Sequence, residues 1–168
     1  MRTDPASLPP IGTIVMWGGI TNCPLGWLVC DGSVYKQADY RELFAIIQHN
    51  FGAPPQSNTY NPATDFFVPD LRGRFVRGVD DSGKGRDPDV AARQDMQGGQ
   101  TVGPQVGSVQ GDGFKKHAHD YGAISEEVGA AAVGLGTGWT TSQTPTSAAG
   151  GHETRPANAY LYFIIKAR

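Results

Sequence analysis

The sequence is short of several things, and each shortage removes a class of function. Only two cysteines occur, Cys23 and Cys30, so neither a disulfide scaffold nor a cysteine metal cluster is available. They flank Pro24-Leu25-Gly26-Trp27, a tight-turn sequence. A bridge across it and two small buried thiols are both open readings. No run of Lys or Arg exceeds two residues, and 14 basic against 16 acidic residues leave a net charge of -2. That balance argues against nucleic acid or anionic lipid as the partner. The longest apolar runs, such as Tyr160 to Ile165, fall far short of the ~20 residues a membrane span needs. Met1-Arg2-Thr3-Asp4-Pro5 lacks the apolar stretch of a signal peptide, so a role outside the cell would call for release by lysis or particle assembly. No internal repeat is evident.

What the chain has is glycine and proline. Gly (23) and Pro (12) make up about a fifth of its 168 residues, a level that favours turns and extended segments over helix. Ile11 to Trp17 reads as a strand broken by Gly18-Gly19, and Trp27 to Cys30 as a second, closed by Asp31-Gly32. One helix is predicted next. Asp39 can cap it, with Glu42 answering as in a capping box. Leu43, Phe44, Ile46 and Ile47 form its apolar face, with Tyr40 one turn earlier, and Gly52 with Pro54-Pro55 end it. Residues 53–65 read as a polar surface loop. Phe66 to Leu71 returns to the core extended, because Pro69 steers its predecessor away from helix. Residues 79–95 read as charged loop. The stretch from 122 to 151 is Gly, Ala, Ser and Thr around a single Trp139, and Tyr160 to Ile165 closes the chain as a core strand.

The chemistry concentrates in Lys115-Lys116-His117-Ala118-His119-Asp120. In an extended segment, residues two apart share a face, so both imidazoles can reach one point. Two nitrogens are too few for a structural metal, and no convincing further ligand lies nearby. A three-fold axis would supply six. Six neutral imidazoles suit iron, nickel or cobalt better than four-coordinate zinc. The plain alternative is a pair of surface histidines beside two lysines. Arg72, Arg74 and Arg77 could bind anionic phosphates, but arginine in a Gly-rich, Asp-bounded turn more often bonds carbonyls and carboxylates such as Asp70. Glu153 and Arg155 are read as scaffold in the same way. Trp139, and less strongly Tyr121, are candidates for contact with a sugar or a partner surface, since aromatic rings stack on sugars and anchor interfaces; an equal alternative is that Trp139 plugs an oligomer interior. No role is assigned to His49 or His152.

The order of motifs resembles a known family. Pro10-Ile11-Gly12-Thr13-Ile14 precedes Gly26-Trp27-Leu28-Val29-Cys30-Asp31-Gly32. Tyr40-Arg41-Glu42-Leu43-Phe44 and Phe67-Val68-Pro69-Asp70-Leu71-Arg72-Gly73-Arg74-Phe75 follow. Residues 9 to about 78 resemble the phage tail collar domain. The second half resembles the receptor-binding tip of short tail fibres from contractile phages, with His117 and His119 at the metal-binding positions and Glu153-Thr154-Arg155-Pro156-Ala157-Asn158 as the closing motif. Residues 120 to 151 match no pattern.

The resemblance implies an α+β, strand- and loop-rich chain. Residues 1–8 would be an arm, and 9–95 a small collar domain with one helix. Residues 96–168 would be an intertwined, irregular β head of a homotrimer, whose C-terminal strand returns to the collar. One transition-metal ion per trimer is expected, iron first, with zinc or nickel as alternatives. The expected partners are a cell-surface glycan or lipopolysaccharide and other tail or baseplate proteins, without nucleic acid or membrane insertion. The expected setting is a virion tail or extracellular phage-derived particle, made in the host cytoplasm without a signal peptide. The function implied is attachment without chemistry. Two alternatives stand beside it: a structural tail or injection-particle component, and a metal-dependent hydrolase or polysaccharide depolymerase. The second lacks support, since six imidazoles leave no open position for water and Glu126-Glu127 sits in a loop.

Overall fold

A computed structural model describes residues 8–20, 23–54, 57–81, 85–97, 99–113 and 155–168. The chain divides into two compact units, residues 1–111 together with 158–168, and residues 112–157. In the first, one helix and two small antiparallel sheets make a strand- and loop-rich α+β fold. No helix among the described residues is long and apolar enough to cross a membrane.

The larger sheet is built from β1 (Ile14–Trp17), β2 (Trp27–Val29) and β5 (Tyr162–Lys166), with β5 in the centre. Ile14 pairs with Ile165 and Trp17 with Tyr162, while Leu28 opposes Ile165 from the other side. The last strand of the chain therefore joins two strands from its beginning. These contacts are long-range, so the entropy of closing the intervening chain opposes them. Gly26, at φ +80°, makes the turn into β2, and its carbonyl accepts the N–H groups of Ala167 (2.8 Å) and Arg168 (3.1 Å). The Arg168 guanidinium lies 4.7 Å from the Tyr40 ring centroid and donates to the Asp39 carbonyl.

The second sheet pairs β3 (Val34–Lys36) with β4 (Asp65–Phe67). Strand β3 was not anticipated: three residues between turns are too few to show a period. Strand β4 is buried throughout, with Phe66 fully enclosed. Its ring lies 5.5 Å from that of Phe44 and 6.4 Å from that of Tyr35. The core comprises Cys30, Leu43, Ile47, Phe51, Tyr60, Phe66, Phe67, Val68, Ile165 and Ala167, so both sheets and the helix share it.

Helix α1 spans Arg41–Ile47 and corrects the sequence reading three times. Tyr40, not Asp39, is the N-cap, and no side chain caps it, so the capping box does not form. Asp39 instead ends a turn in which its N–H donates to the Lys36 carbonyl. The helix stops at Ile47, before Gly52 and Pro54, because Gln48 turns to φ +45°. Finally, the apolar face is narrower than the composition suggests. Leu43 and Ile47 are buried and Phe44 packs on the core, but Ile46 is 55% exposed. A seven-residue helix makes only about two turns and can press one narrow stripe inward. Both cysteines are free thiols, Cys30 buried and Cys23 half-buried. Burial first, then the nearby charges of Asp31 and Cys23, pushes the Cys30 thiol up to about 12.

Candidate functional site

The turn after β4 begins at Pro69. Leu71 N–H donates to the Cys30 carbonyl, and Gly32 N–H to that of Pro69, which fastens the turn to the end of β2. Asp70 N–H donates to the sulfur of Met96 at 2.9 Å. Arg72 then folds back on Asp70 in a bidentate pair, Nε to Oδ1 and Nη2 to Oδ2, each at 2.8 Å. That bond, assisted by the Arg72 backbone N–H and by charge, holds the Asp70 carboxyl below its usual range despite partial burial. Arg74 is exposed, and its N–H closes the turn on the Leu71 carbonyl at 3.3 Å. Arg72 is thus committed to a carboxylate and is not a free anion donor.

A second charged cluster was not anticipated from sequence. Asp87, only 4% exposed, accepts from Arg93 Nη1 (3.0 Å), Gln110 Nε2 (3.2 Å) and the Asp89 N–H (3.3 Å). Arg77 Nη2 stands 3.8 Å away. Burial opposes the Asp87 charge, but these donors outweigh it and set its carboxyl below the usual range. Arg93 also donates to the Ser108 hydroxyl and carbonyl and to Oε1 of Gln110 (2.6 Å). Both Asp87 oxygens have protein partners, which suits a clamp and not a general base. The clamp ties residues 87–93 to residues 108–110, where Gln94 also bridges to Thr101 and Val109. Sequence offered no signal for it, since its members lie 6 to 23 residues apart in an aperiodic segment.

A third pair, Lys36 and Asp65, ties the two edges of the small sheet together. The Lys36 hydrogen bond, then those from Asn61 N–H and Thr64, holds the Asp65 carboxyl below its usual range.

Of the sequence-predicted site residues, the structure brings Asp70 and Arg72 together and places Arg74 on the same turn. Arg155 is exposed and belongs to the second unit. His117, His119, Tyr121, Trp139 and Glu153 lie outside the described residues. Among the described residues, no group of three His, Cys, Asp or Glu side chains is disposed to hold a metal ion.

Two relatives share much of the chain. RhiB of Rhizobium leguminosarum bv. viciae is 37% identical over 149 residues, covering 85% of this chain and 64% of RhiB. StfE of Escherichia coli (strain K12), an uncharacterized protein, is 32% identical over 110 residues, covering 66% of this chain and 44% of StfE. The chain therefore spans less than two thirds of either relative's length. Residues 12–76 match the family model of the phage tail collar domain, a stretch that holds β1 to β4, the helix and the Asp70–Arg72 turn. From Gly12 to Val76, this chain carries a phage tail collar domain.

Proposed function

We propose that this chain of phage tail-fibre type is a homotrimeric receptor-binding protein, which attaches a virion or a phage-derived particle to a host-surface glycan or lipopolysaccharide. The collar domain at residues 12–76 carries this reading, together with the His-x-His pair that follows it in sequence. The charged groups of the collar and of the segment after it support it too: Asp65 and Asp70 within the collar, and Asp87 beyond it, are each engaged by cations or amides, as in a scaffold that presents a surface.

Binding, not bond-making, is the mechanism. Individually weak contacts to repeated surface sugars become firm when three chains, and several fibres per particle, engage together and raise the effective concentration. His117 and His119 from each of three chains would hold one transition-metal ion on the axis, iron by preference and zinc or nickel as alternatives. As a donor set, six imidazoles fit an octahedral ion. Such a site would lock the chains together and reduce the ordering cost of binding. Trp139 and Tyr121 would meet the receptor, through ring faces that suit sugars.

The test is solution mass with metal content, followed by adsorption. The expected result is a trimer carrying one transition-metal ion, which blocks particle adsorption and binds a surface glycan on an array. A His117→Ala/His119→Ala variant loses the ion and melts earlier. A trimer that neither binds cells nor competes with adsorption would mark a purely structural tail component. Release of reducing ends from capsule or lipopolysaccharide would mark a depolymerase.

A further inference from the structure

The chain leaves the core at the Asp70 turn and runs exposed before it reaches the Asp87 clamp. Residues 72 to 79 are all exposed and belong to no helix or strand. Phe75 is 67% and Val76 69% exposed, although both are apolar. No backbone N–H or carbonyl from Phe75 to Val79 bonds to another described residue. The segment is held only at its two ends. Before it, the Arg74 N–H closes the turn on the Leu71 carbonyl. After it, Asp80 Oδ2 accepts from the N–H groups of Arg86 (2.8 Å) and Asp87 (3.0 Å). An endopeptidase takes its substrate as an added strand, so it needs accessible chain whose peptide groups are not already paired. The stretch from Phe75 to Val79 meets that requirement as it stands.

We propose that the Arg77–Gly78 bond is a cleavage site for a serine endopeptidase of the trypsin class, whose acidic pocket takes an arginine side chain. The serine oxygen attacks the Arg77 carbonyl carbon, the bond to the Gly78 nitrogen breaks, and the amine leaves with a proton. Water then releases the acyl group, so one amide and one water become the Arg77 carboxylate and the Gly78 ammonium. The choice of arginine follows from what each would give up. Arg72 is held bidentately by Asp70, and a cut after Arg74 requires the Leu71–Arg74 turn to open. At Arg86, the N–H groups on both sides of the bond are held by Asp80. Lys36 and Lys166 lie in strands, Arg41 in the helix and Arg93 in the clamp. Arg77 gives up one bond to the Arg86 carbonyl (2.7 Å) and a 3.8 Å approach to Asp87, which keeps Arg93 and Gln110. Its side chain is already 51% exposed, and the space around Gly78 is open. The cut severs the collar from the rest of the chain, yet β5 still lies between β1 and β2. Packing then joins the two pieces in place of a covalent bond. The inference draws nothing from the trimeric reading above.

The test is limited digestion of the native full chain with trypsin, followed by mass spectrometry of the first cuts within residues 8–111. The expected first cut there lies between Arg77 and Gly78. Both pieces should elute together in native size exclusion and part in urea. A first cut at any other residue of that range, or none, overturns the site. Pieces that part without urea overturn the packing that is said to join them. Arg77→Gln is expected to slow this cut at least about tenfold, because the protease pocket loses its cation. Arg77→Lys and Arg74→Gln keep it. An Arg77→Gln protein nicked between residues 77 and 78 as fast as wild type refutes the assignment. Should the glutamine variant not fold, the position of the wild-type cut decides.

Discussion

Arg93 Nη1 lies 3.0 Å from Oδ2 of Asp87, with both side chains largely withdrawn from water at 15% and 5% exposure. A pair this enclosed cannot lose one member cheaply, because the survivor keeps its desolvation and loses its partner. Arg93→Met is therefore expected to lower the urea midpoint more than Arg74→Met, which removes an exposed side chain that makes no ion pair among the described residues. Equal midpoints for the two variants would contradict the clamp.

The same carboxylates set the acid limit. Asp65, Asp70 and Asp87 are all held below their usual range in the folded chain. In the unfolded chain such groups titrate near about 3.9 and take up protons first, so stability rises with pH through that window. Their contribution is complete above about pH 5 and is lost as pH falls through the depressed folded values. Urea midpoints measured at pH 7, 5, 4 and 3 should stay level to pH 5 where these groups are concerned and then decline. Asp87→Asn is expected to start lower at pH 7 and decline less.

Two apolar helix positions separate cleanly. Leu43 is fully buried and Ile46 is mostly exposed. Leu43→Ala is expected to cost about 2–5 kcal/mol. Ile46→Ala, at a largely solvated site, should stay within about 1 kcal/mol. Denaturant titration of both variants checks the contrast, and similar losses would mean that α1 packs through a different stripe.

Gly26 links the start of the chain to its end. A Cβ there would stand 2.8 Å from the Arg168 carbonyl oxygen, at a φ of +80°. Gly26→Ala should cost about 1–3 kcal/mol through backbone strain, and it should loosen Ala167 and Arg168 as well. Hydrogen exchange at those two amides reads the second effect, and unchanged protection there would refute it.

Thiol chemistry gives the last check. With Cys30 buried and its thiol pushed up to about 12, alkylation of the native protein at pH 8 should leave it untouched. In denaturant both Cys23 and Cys30 should react. Fewer than two reactive thiols after unfolding without reductant would reveal a bridge.

How much of this was open to a reader of the chain differs by element. The Trp27 strand, the helix start near Arg41 and the turn at Asp70 each carry strong local signals, and each stands where the signal lies. The cap at Asp39 failed because its backbone was taken by the preceding turn, a competition that sequence spacing does not reveal. Lys36 and Asp65, or Asp87, Arg93 and Gln110, are ordinary surface-type residues until distant segments meet.

The order of motifs from Pro10 to Phe75 and the adjacent histidines belong to the sequence by itself, because turn residues, apolar alternation and ligand spacing are local properties. Tertiary structure alone decided that Tyr162–Lys166 would lie between β1 and β2, with Ile164 and Ile165 buried on its two faces. Pairing across 135 to 151 residues depends on which surfaces remain to be buried once the chain has closed, and nothing local records it.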